Sequence, residues 1–167
     1  MDDLEITHKW HNDQDLYKTL AGNFRFVSID AEKDWLQQKT KYSHHEINLM
    51  ICLVENNRPI GLISVRDINW VSRNGQLTGI SICEPSSRGK GYGSEALSLM
   101  LMHCFKDLVF NRIWAYIISD NQISLKVFKK CGFMVEGHLK QHVYKNGEFK
   151  DLVVVGLCAN QYDIHSF

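Results

Sequence analysis

The chain has 167 residues, with 19 Lys+Arg against 19 Asp+Glu, so its formal charge is zero. That balance argues against a general nucleic-acid binder, while leaving room for a local basic groove. No apolar run approaches the roughly 18–20 residues of a membrane span, and no leader with a cleavage site is read. Five isolated cysteines, Cys52, Cys83, Cys104, Cys131 and Cys158, form no CxxC pair. They support neither a zinc site nor a disulfide framework, and free thiols suit a reducing cytosol, so a cytoplasmic, metal-free protein is expected. The length suits one domain over residues 1–167.

Residues 3–20 read as one or two helical pieces with Leu4, Leu16, Tyr17 and Leu20 as apolar points. Asn12-Asp13 offers a break with new caps, and Gly22 closes the second piece. Ser28 and Asp30 are N-cap candidates for a helix over about Ala31–Lys41, with Trp35 and Leu36 on its inner face. Ile47–Val54 and Pro59–Val65 read as a hairpin around Glu55–Arg58, and Gly61 marks a bulge or close packing. Asn69–Asn74 is irregular, with Asn74-Gly75 as a turn signal, and Gln76–Cys83 is the next strand.

That strand leads through Glu84-Pro85-Ser86-Ser87 into Arg88-Gly89-Lys90-Gly91-Tyr92-Gly93, the most glycine-dense stretch. Ala96, Leu97, Met100, Leu101, Cys104, Phe105 and Leu108 then recur at helical spacing. Strand, glycine turn and helix make an anion site, because glycine tolerates φ > 0 and the first helical N–H groups lack partners. Arg88 and Lys90 add positive charge, so the loop reads as a phosphate or pyrophosphate cradle. A nucleoside-triphosphate loop is disfavoured, since no Gly-Lys-Ser/Thr follows.

Arg112–Ile118 is a short strand, and Ser119-Asp120-Asn121 caps a helix over about Gln122–Lys130 that ends at Cys131-Gly132. Phe133–His138 and Leu152–Leu157 are strands, with Asn146-Gly147 turning between them. The tail from Ala159 is expected to be loosely held. The order predicts an α/β fold, a mixed sheet of six or seven strands with helices on both faces. The helix starts near Gly93 and Asn121 then stand side by side where ligands bind such sheets.

Arg88-x-x-Gly91-x-Gly93 resembles the Arg/Gln-x-x-Gly-x-Gly/Ala signature of the GNAT N-acetyltransferases. Asn121-x-x-Ser124-x-x-x-Phe128-x-x-x-Gly132-Phe133 resembles the family's second helix. Glu136-Gly137-His138-Leu139-Lys140, Tyr144–Gly147 and Asp151 are similar to the RimJ/RimL-type subgroup, which acetylates protein N-termini and small amines. The likeness covers a core of about residues 24–158, leaving 159–167 as tail, and implies a mostly antiparallel GNAT-type sheet. It implies acetyl-CoA as cosubstrate, its pyrophosphate on Arg88, Gly89, Lys90, Gly91, Tyr92, Gly93 and Ser94. It further implies pantetheine along Ser81, Ile82 and Cys83 and at Asn121. Relatives often open with an edge strand, for which Met1–Leu4 leaves too little room; either it is absent or Ile6–His11 is irregular.

Amine acylation needs a neutral amine, donors for the oxyanion and a hydrogen bond or proton for the thiolate. Many relatives supply the last from a Tyr seven residues after the Asn. Here Phe128 stands there and cannot donate; some RimL-like relatives use the Ser of Asn-x-x-Ser instead, so the resemblance implies Ser124, with Tyr92, Tyr116 and Tyr144 as alternatives. Base candidates are Glu84, His138 and His142. Trp35, Tyr42, His44, His45, Trp70, His138 and Tyr144 fall in segments that shape the acceptor pocket in relatives. The acceptor is expected to be a small amine, an amino sugar or a protein N-terminus, and the enzyme a monomer or homodimer. A catalytically weak acyl-CoA sensor is the alternative. No acidic cluster stands out in Ala31–His45, which lowers a polyamine acceptor.

Overall fold

The structure is a computed structural model that describes residues 3–18 and 20–162. Six strands form one sheet: β1 (Ile47–Cys52), β2 (Pro59–Asn69), β3 (Asn74–Ile82), β4 (Arg112–Ile118), β5 (Met134–Lys145) and β6 (Glu148–Cys158). Their order is β1-β2-β3-β4-β6-β5, and only the β3–β4 pair is parallel. The crossover between β3 and β4 is helix α4 (Tyr92–Met102), continued by a wider turn over His103–Asp107. Helix α5 (Gln122–Lys130) joins β4 to β5.

Strand alternation decides which face each helix covers. Ile63 and Val65 of β2, Leu77 of β3, Ile113, Ala115 and Ile117 of β4 and Val153, Val155 and Leu157 of β6 share one buried core. Leu97, Met100 and Leu101 of α4 and Phe128 of α5 complete it, so both helices lie on the same face. The opposite face is covered over β1–β3 by α1 (Leu4–His11), α2 (Gln14–Tyr17) and α3 (Ile29–Lys39). There Trp10, Leu16 and Cys83 form a second small core with Ile6, Leu20, Met50 and Leu62.

Caps set these helices. The Asp13 carboxylate accepts from the amides of Asp15 and Leu16 and restarts the chain as α2 after α1 ends. The Ser28 hydroxyl accepts from the Ala31 amide at 3.2 Å and starts α3 at Ile29. Among the described residues no strand precedes β1, and Ile6–His11 is helical rather than irregular. The buried points of that helix are Thr7 and Trp10, while Leu4 is half-exposed.

Asn74-Gly75 does not form the expected turn. The chain reverses just before it, with Arg73 at φ +50°, and Asn74-Gly75 opens β3. Close packing demands the glycine: a Cβ at Gly75 would lie 2.7 Å from Val65 Cγ1 and 3.3 Å from Phe110. The tail is also better held than composition suggests. Ala159–Gln161 forms a short 3-10 turn, and the Tyr162 ring lies 4.9 Å from Phe105; residues 163–167 fall outside the described residues. No helix among the described residues is long and apolar enough to cross a membrane.

Candidate active site

β3 and β4 pair only through Asn74–Arg112, Gly75–Ile113 and Gln76–Trp114. Beyond that point β3 stays with β2 and β4 stays with β6, so the sheet splits between its two parallel strands. The split coincides with a shift of register on β2, where Ser64 faces Thr78 but Leu62 faces Ser81. The extra β3 residues include Gly79 at φ +63°, a left-handed kink that suits glycine. The diverging edge of β3, from Thr78 to Ile82, has no β4 partner in the ladder.

Helices α4 and α5 each follow one of these parallel strands on the same face, so both N-termini stand at the mouth of the split. Gly91 caps α4 at φ +90°, and Gly89 holds φ +74°. A Cβ on either would meet nothing within 4 Å, so the glycines serve the backbone path and leave open space above it. Lys90 is exposed, while Tyr92, Gly93 and Ser94 are half-buried. Gly93 faces Ile82, whose Cγ1 lies 3.7 Å from its hypothetical Cβ. From this loop a groove of about 450 Å³ runs along Gly91, Ser94, Ser98, Lys130 and Tyr162.

The Arg88 side chain is engaged with the backbone at the end of β3. Its Nε donates to the Ile82 carbonyl and its Nη2 to the Cys83 carbonyl, both at 2.9 Å. Asp13 lies 3.9 Å away. The guanidinium thus ties the end of β3 to the turn before the glycines. At the second helix, Asn121 Oδ1 accepts from the Ser124 amide at 3.0 Å, which is an N-cap and leaves Ser124 half-buried in the first turn. Phe128 is 3% exposed and packs its edge on Phe133 at 4.9 Å, inside the core.

Ser81 and Ile82 are half-buried and Cys83 is buried. Ile60 holds this end of β3, its carbonyl accepting from the amides of Cys83 at 2.8 Å and Glu84 at 3.1 Å. Burial pushes the Cys83 thiol up to about 12, so it is an inert apolar wall rather than a nucleophile. Glu84 is engaged by the Trp10 indole N–H at 2.9 Å and approached by Lys9 at 3.9 Å.

Ser81 and Cys83 also line a cavity of about 180 Å³ between the sheet and α1–α3. Trp10, His11, Leu16, Tyr17, Trp35 and Met50 also belong to its wall. Trp35 belongs here, half-buried, with the His11 ring 4.6 Å away edge-on. Burial, and then the Glu32 charge, raises the Tyr17 phenol above its ordinary value. His138 and Tyr144 lie elsewhere: His138 is exposed on β5 opposite Val153, and Tyr144 is exposed beside Phe149 near the β5–β6 turn. His142 sits near Tyr116, ring centroids 6.3 Å apart, on the half of the sheet that α1–α3 leave uncovered. Tyr42 and His44 form an exposed ring pair, and Trp70 donates to the His44 carbonyl at 2.6 Å. Among the described residues no group of three His, Cys, Asp or Glu side chains is placed to hold a metal.

The sequence does not single out His11 and Glu32 at this site, nor Lys145 away from it. His11 Nδ1 lies 2.7 and 3.0 Å from the two oxygens of Glu32, which is only 1% exposed. Lys145, buried near the β5–β6 turn, donates to the Gly22 carbonyl and pins the loop between α2 and α3. Burial lowers its pKa. Helical spacing of Thr7 and Trp10 was the available signal for the inner face of α1.

A mixed sheet that splits between two parallel strands, with a glycine-capped helix at the mouth, defines an acyltransferase-type fold. The chain belongs to the GNAT acetyltransferase family: the domain described as "Acetyltransferase (GNAT) domain" matches residues 1–134. It is an N-acetyltransferase. The chain is 50% identical over 133 residues to an N-acetyltransferase 9-like protein of Nematostella vectensis, covering 75% of this chain and 67% of that one. It is 24% identical over 160 residues to the spermidine N(1)-acetyltransferase of Vibrio cholerae, covering 96% and 90%. The crystal structure of spermidine N-acetyltransferase from Vibrio cholerae in complex with CoA and spermine superposes with a TM-score of 0.87 at 21% identity, covering 96% and 92%.

Proposed function

We propose that the protein transfers acetyl from acetyl-CoA directly to a primary amine, as one acetyltransferase domain over residues 1–167 of the RimJ/RimL-like type. The observation that carries this reading is the joint position of the Gly89–Gly91 backbone and the Asn121–Ser124 turn at the mouth of the split sheet. The amides from Gly89 to Ser94 would hold the pyrophosphate, with the dipole of the 11-residue α4 behind them. The edge of β3 over Ser81–Cys83 would pair with the pantetheine amides, and Asn121 would meet them from α5. Arg88 serves this site from beneath, by fixing the carbonyls of Ile82 and Cys83.

In the reaction the amine nitrogen attacks the thioester carbon, and the C–S bond breaks as the amide forms. The thiolate then needs a hydrogen bond, which Ser124 supplies, because Phe128 is turned into the core. The acceptor is a small-molecule amine, an amino sugar or a protein N-terminus. A compact monoamine fits better than a polyamine. The carboxylates around the cavity are engaged within the protein: Glu32 by His11, Glu84 by Trp10, and Glu46 by Lys39 and Arg66. The curated relative from Vibrio cholerae named for spermidine keeps that amine in the panel.

Thiol release from acetyl-CoA against alkylamines, spermidine, amino sugars and N-terminal peptides tests this. Turnover with one class is the expected result. Tight coenzyme binding with no turnover on any amine would instead favour a coenzyme-sensing module.

A further inference from the structure

The reaction needs a group that takes a proton from the ammonium, and none of the base candidates read from the sequence lines the cavity. Glu84 is held by Trp10, His138 lies on β5, and His142 lies by Tyr116. His11 is different. It lines the cavity that also carries Ser81 and Cys83 of the diverging strand edge. Its Nδ1 is 2.7 and 3.0 Å from the two oxygens of Glu32, whose side chain is 1% exposed. An ionised carboxylate only accepts, so Nδ1 carries the proton. In the neutral ring the lone pair is therefore on Nε2, and no hydrogen-bond partner of Nε2 is found among the described residues. The side chain is 20% exposed, enough for a substrate proton to reach it.

We propose that His11 is the general base of the acetyl transfer and that Glu32 is its positioning residue, fixing the tautomer and ring plane. The inference rests on the acetyl-transfer reading above and names its missing base. The ammonium of the acceptor enters the cavity and gives one proton to His11 Nε2. The freed lone pair attacks the thioester carbon. On collapse the C–S bond breaks, the nitrogen loses a second proton, and the sulfur leaves as thiolate and is protonated to the thiol. His11 then returns its proton to solvent, so the net release is one proton per acetyl group.

The cavity sets the substrate class. About 180 Å³, walled by Trp10, Leu16, Trp35 and Met50, accepts a compact apolar body beside the amine, as a cavity of about 150 Å³ accepts benzene. The other titratable groups on its wall are Tyr17 of α2, Lys39 of α3, Arg66 of β2 and Cys83 of β3. Lys39 and Arg66 are both engaged with Glu46, and the Cys83 and Tyr17 protons are held more tightly than usual. None of them competes for the role of base near neutral pH.

The test uses His11→Gln, whose amide N–H still reaches Glu32, and Glu32→Gln, with n-butylamine as probe acceptor. His11→Gln is expected to lower kcat/KM about 100-fold near pH 7 with unchanged acetyl-CoA affinity. The deficit should shrink toward about pH 10, where the amine sheds its own proton in bulk water. Glu32→Gln should act in the same direction on the pH profile, whereas a purely structural pair would lower Tm and leave the profile in place. Nitrogen-15 NMR of the wild type should show His11 protonated on Nδ1. That tautomer is read without substrate, so it judges the pair even if every amine fails and the transfer reading falls. Superimposable pH profiles for His11→Gln and wild type, or a proton on Nε2 alone, would overturn the proposal.

Discussion

A Cβ built on Gly61 of β2 lies 2.1 Å from the Ser81 carbonyl oxygen of β3. The obstructing atom is backbone, so no side chain can swing aside. The two strands meet this closely beside the register shift, at the residues proposed to run along pantetheine. Gly61→Ala is therefore expected to cost about 1–3 kcal/mol or more, by overpacking. At this chain length each kcal/mol lowers Tm by about 2–4 °C. Acetyl-CoA affinity should fall with it, because Ser81–Cys83 must shift. Thermal unfolding and calorimetry check both, and wild-type values in the two assays would show that Gly61 does not place this edge.

Gly91 separates backbone strain from charge. Its φ of +90° disfavours any side chain, yet a Cβ there meets nothing within 4 Å. Gly91→Ala should cost about 1–2 kcal/mol of stability, the penalty of left-handed backbone. Gly91→Glu adds an anion at a helix N-terminus, which favours the fold but opposes a bound pyrophosphate. The expected pattern is a fold no weaker than that of Gly91→Ala, with acetyl-CoA affinity down by at least about tenfold, or 1.4 kcal/mol. Unchanged affinity in Gly91→Glu by calorimetry would remove the pyrophosphate from this loop.

What was legible in the sequence was local. The Gly89–Gly93 run and the Asn121 cap lie within single turns, so residue chemistry and backbone conformation coincide, and both helix starts stand where their caps put them. Asn74-Gly75 misled because a turn preference cannot see that Val65 and Phe110 close over Gly75. The bonds from Arg88 to the Ile82 and Cys83 carbonyls were not legible either, because a cation in a glycine loop suggests an anion and says nothing of nearby backbone. His11 and Glu32 are 21 residues apart and meet only because α1 packs on α3. No spacing rule links them, and a glutamate in the first turn of a helix reads as a surface residue stabilising the dipole.

The ion pair of Glu46 with Lys39 ties α3 to the start of β1, and it carries a pH signature. The hydrogen bond and charge of Lys39, helped by Arg66, hold the Glu46 carboxyl below its ordinary 4.5. The unfolded chain therefore binds more protons than the native one between the two values. The stabilisation is fully present above 4.5 and is lost as pH falls through the depressed native value. Glu46→Gln should be less stable than wild type at pH 7, with the gap closing only as pH falls below 4.5 and through the depressed native value, where the carboxyl is protonated in both states. Urea midpoints across this range measure it, and a gap independent of pH would show that the pair contributes through packing alone.

Ser124 and Phe128 share one helix but face different surroundings. Ser124 is half-buried in the first turn of α5, whereas Phe128 is 3% exposed against Phe133. If Ser124 donates to the departing sulfur, Ser124→Ala should lower kcat about tenfold, as loss of about 1.4 kcal/mol of transition-state stabilisation would, with KM for acetyl-CoA little changed. Phe128→Tyr places a hydroxyl in a dry core and should cost about 1–3 kcal/mol of stability with no gain in kcat. The double variant should then resemble Ser124→Ala in rate. Steady-state kinetics with the best acceptor of the panel decides the matter. A Phe128→Tyr enzyme that turns over faster, or that restores the rate lost in Ser124→Ala, would show that the ring at 128 reaches the sulfur and that Ser124 is not the donor.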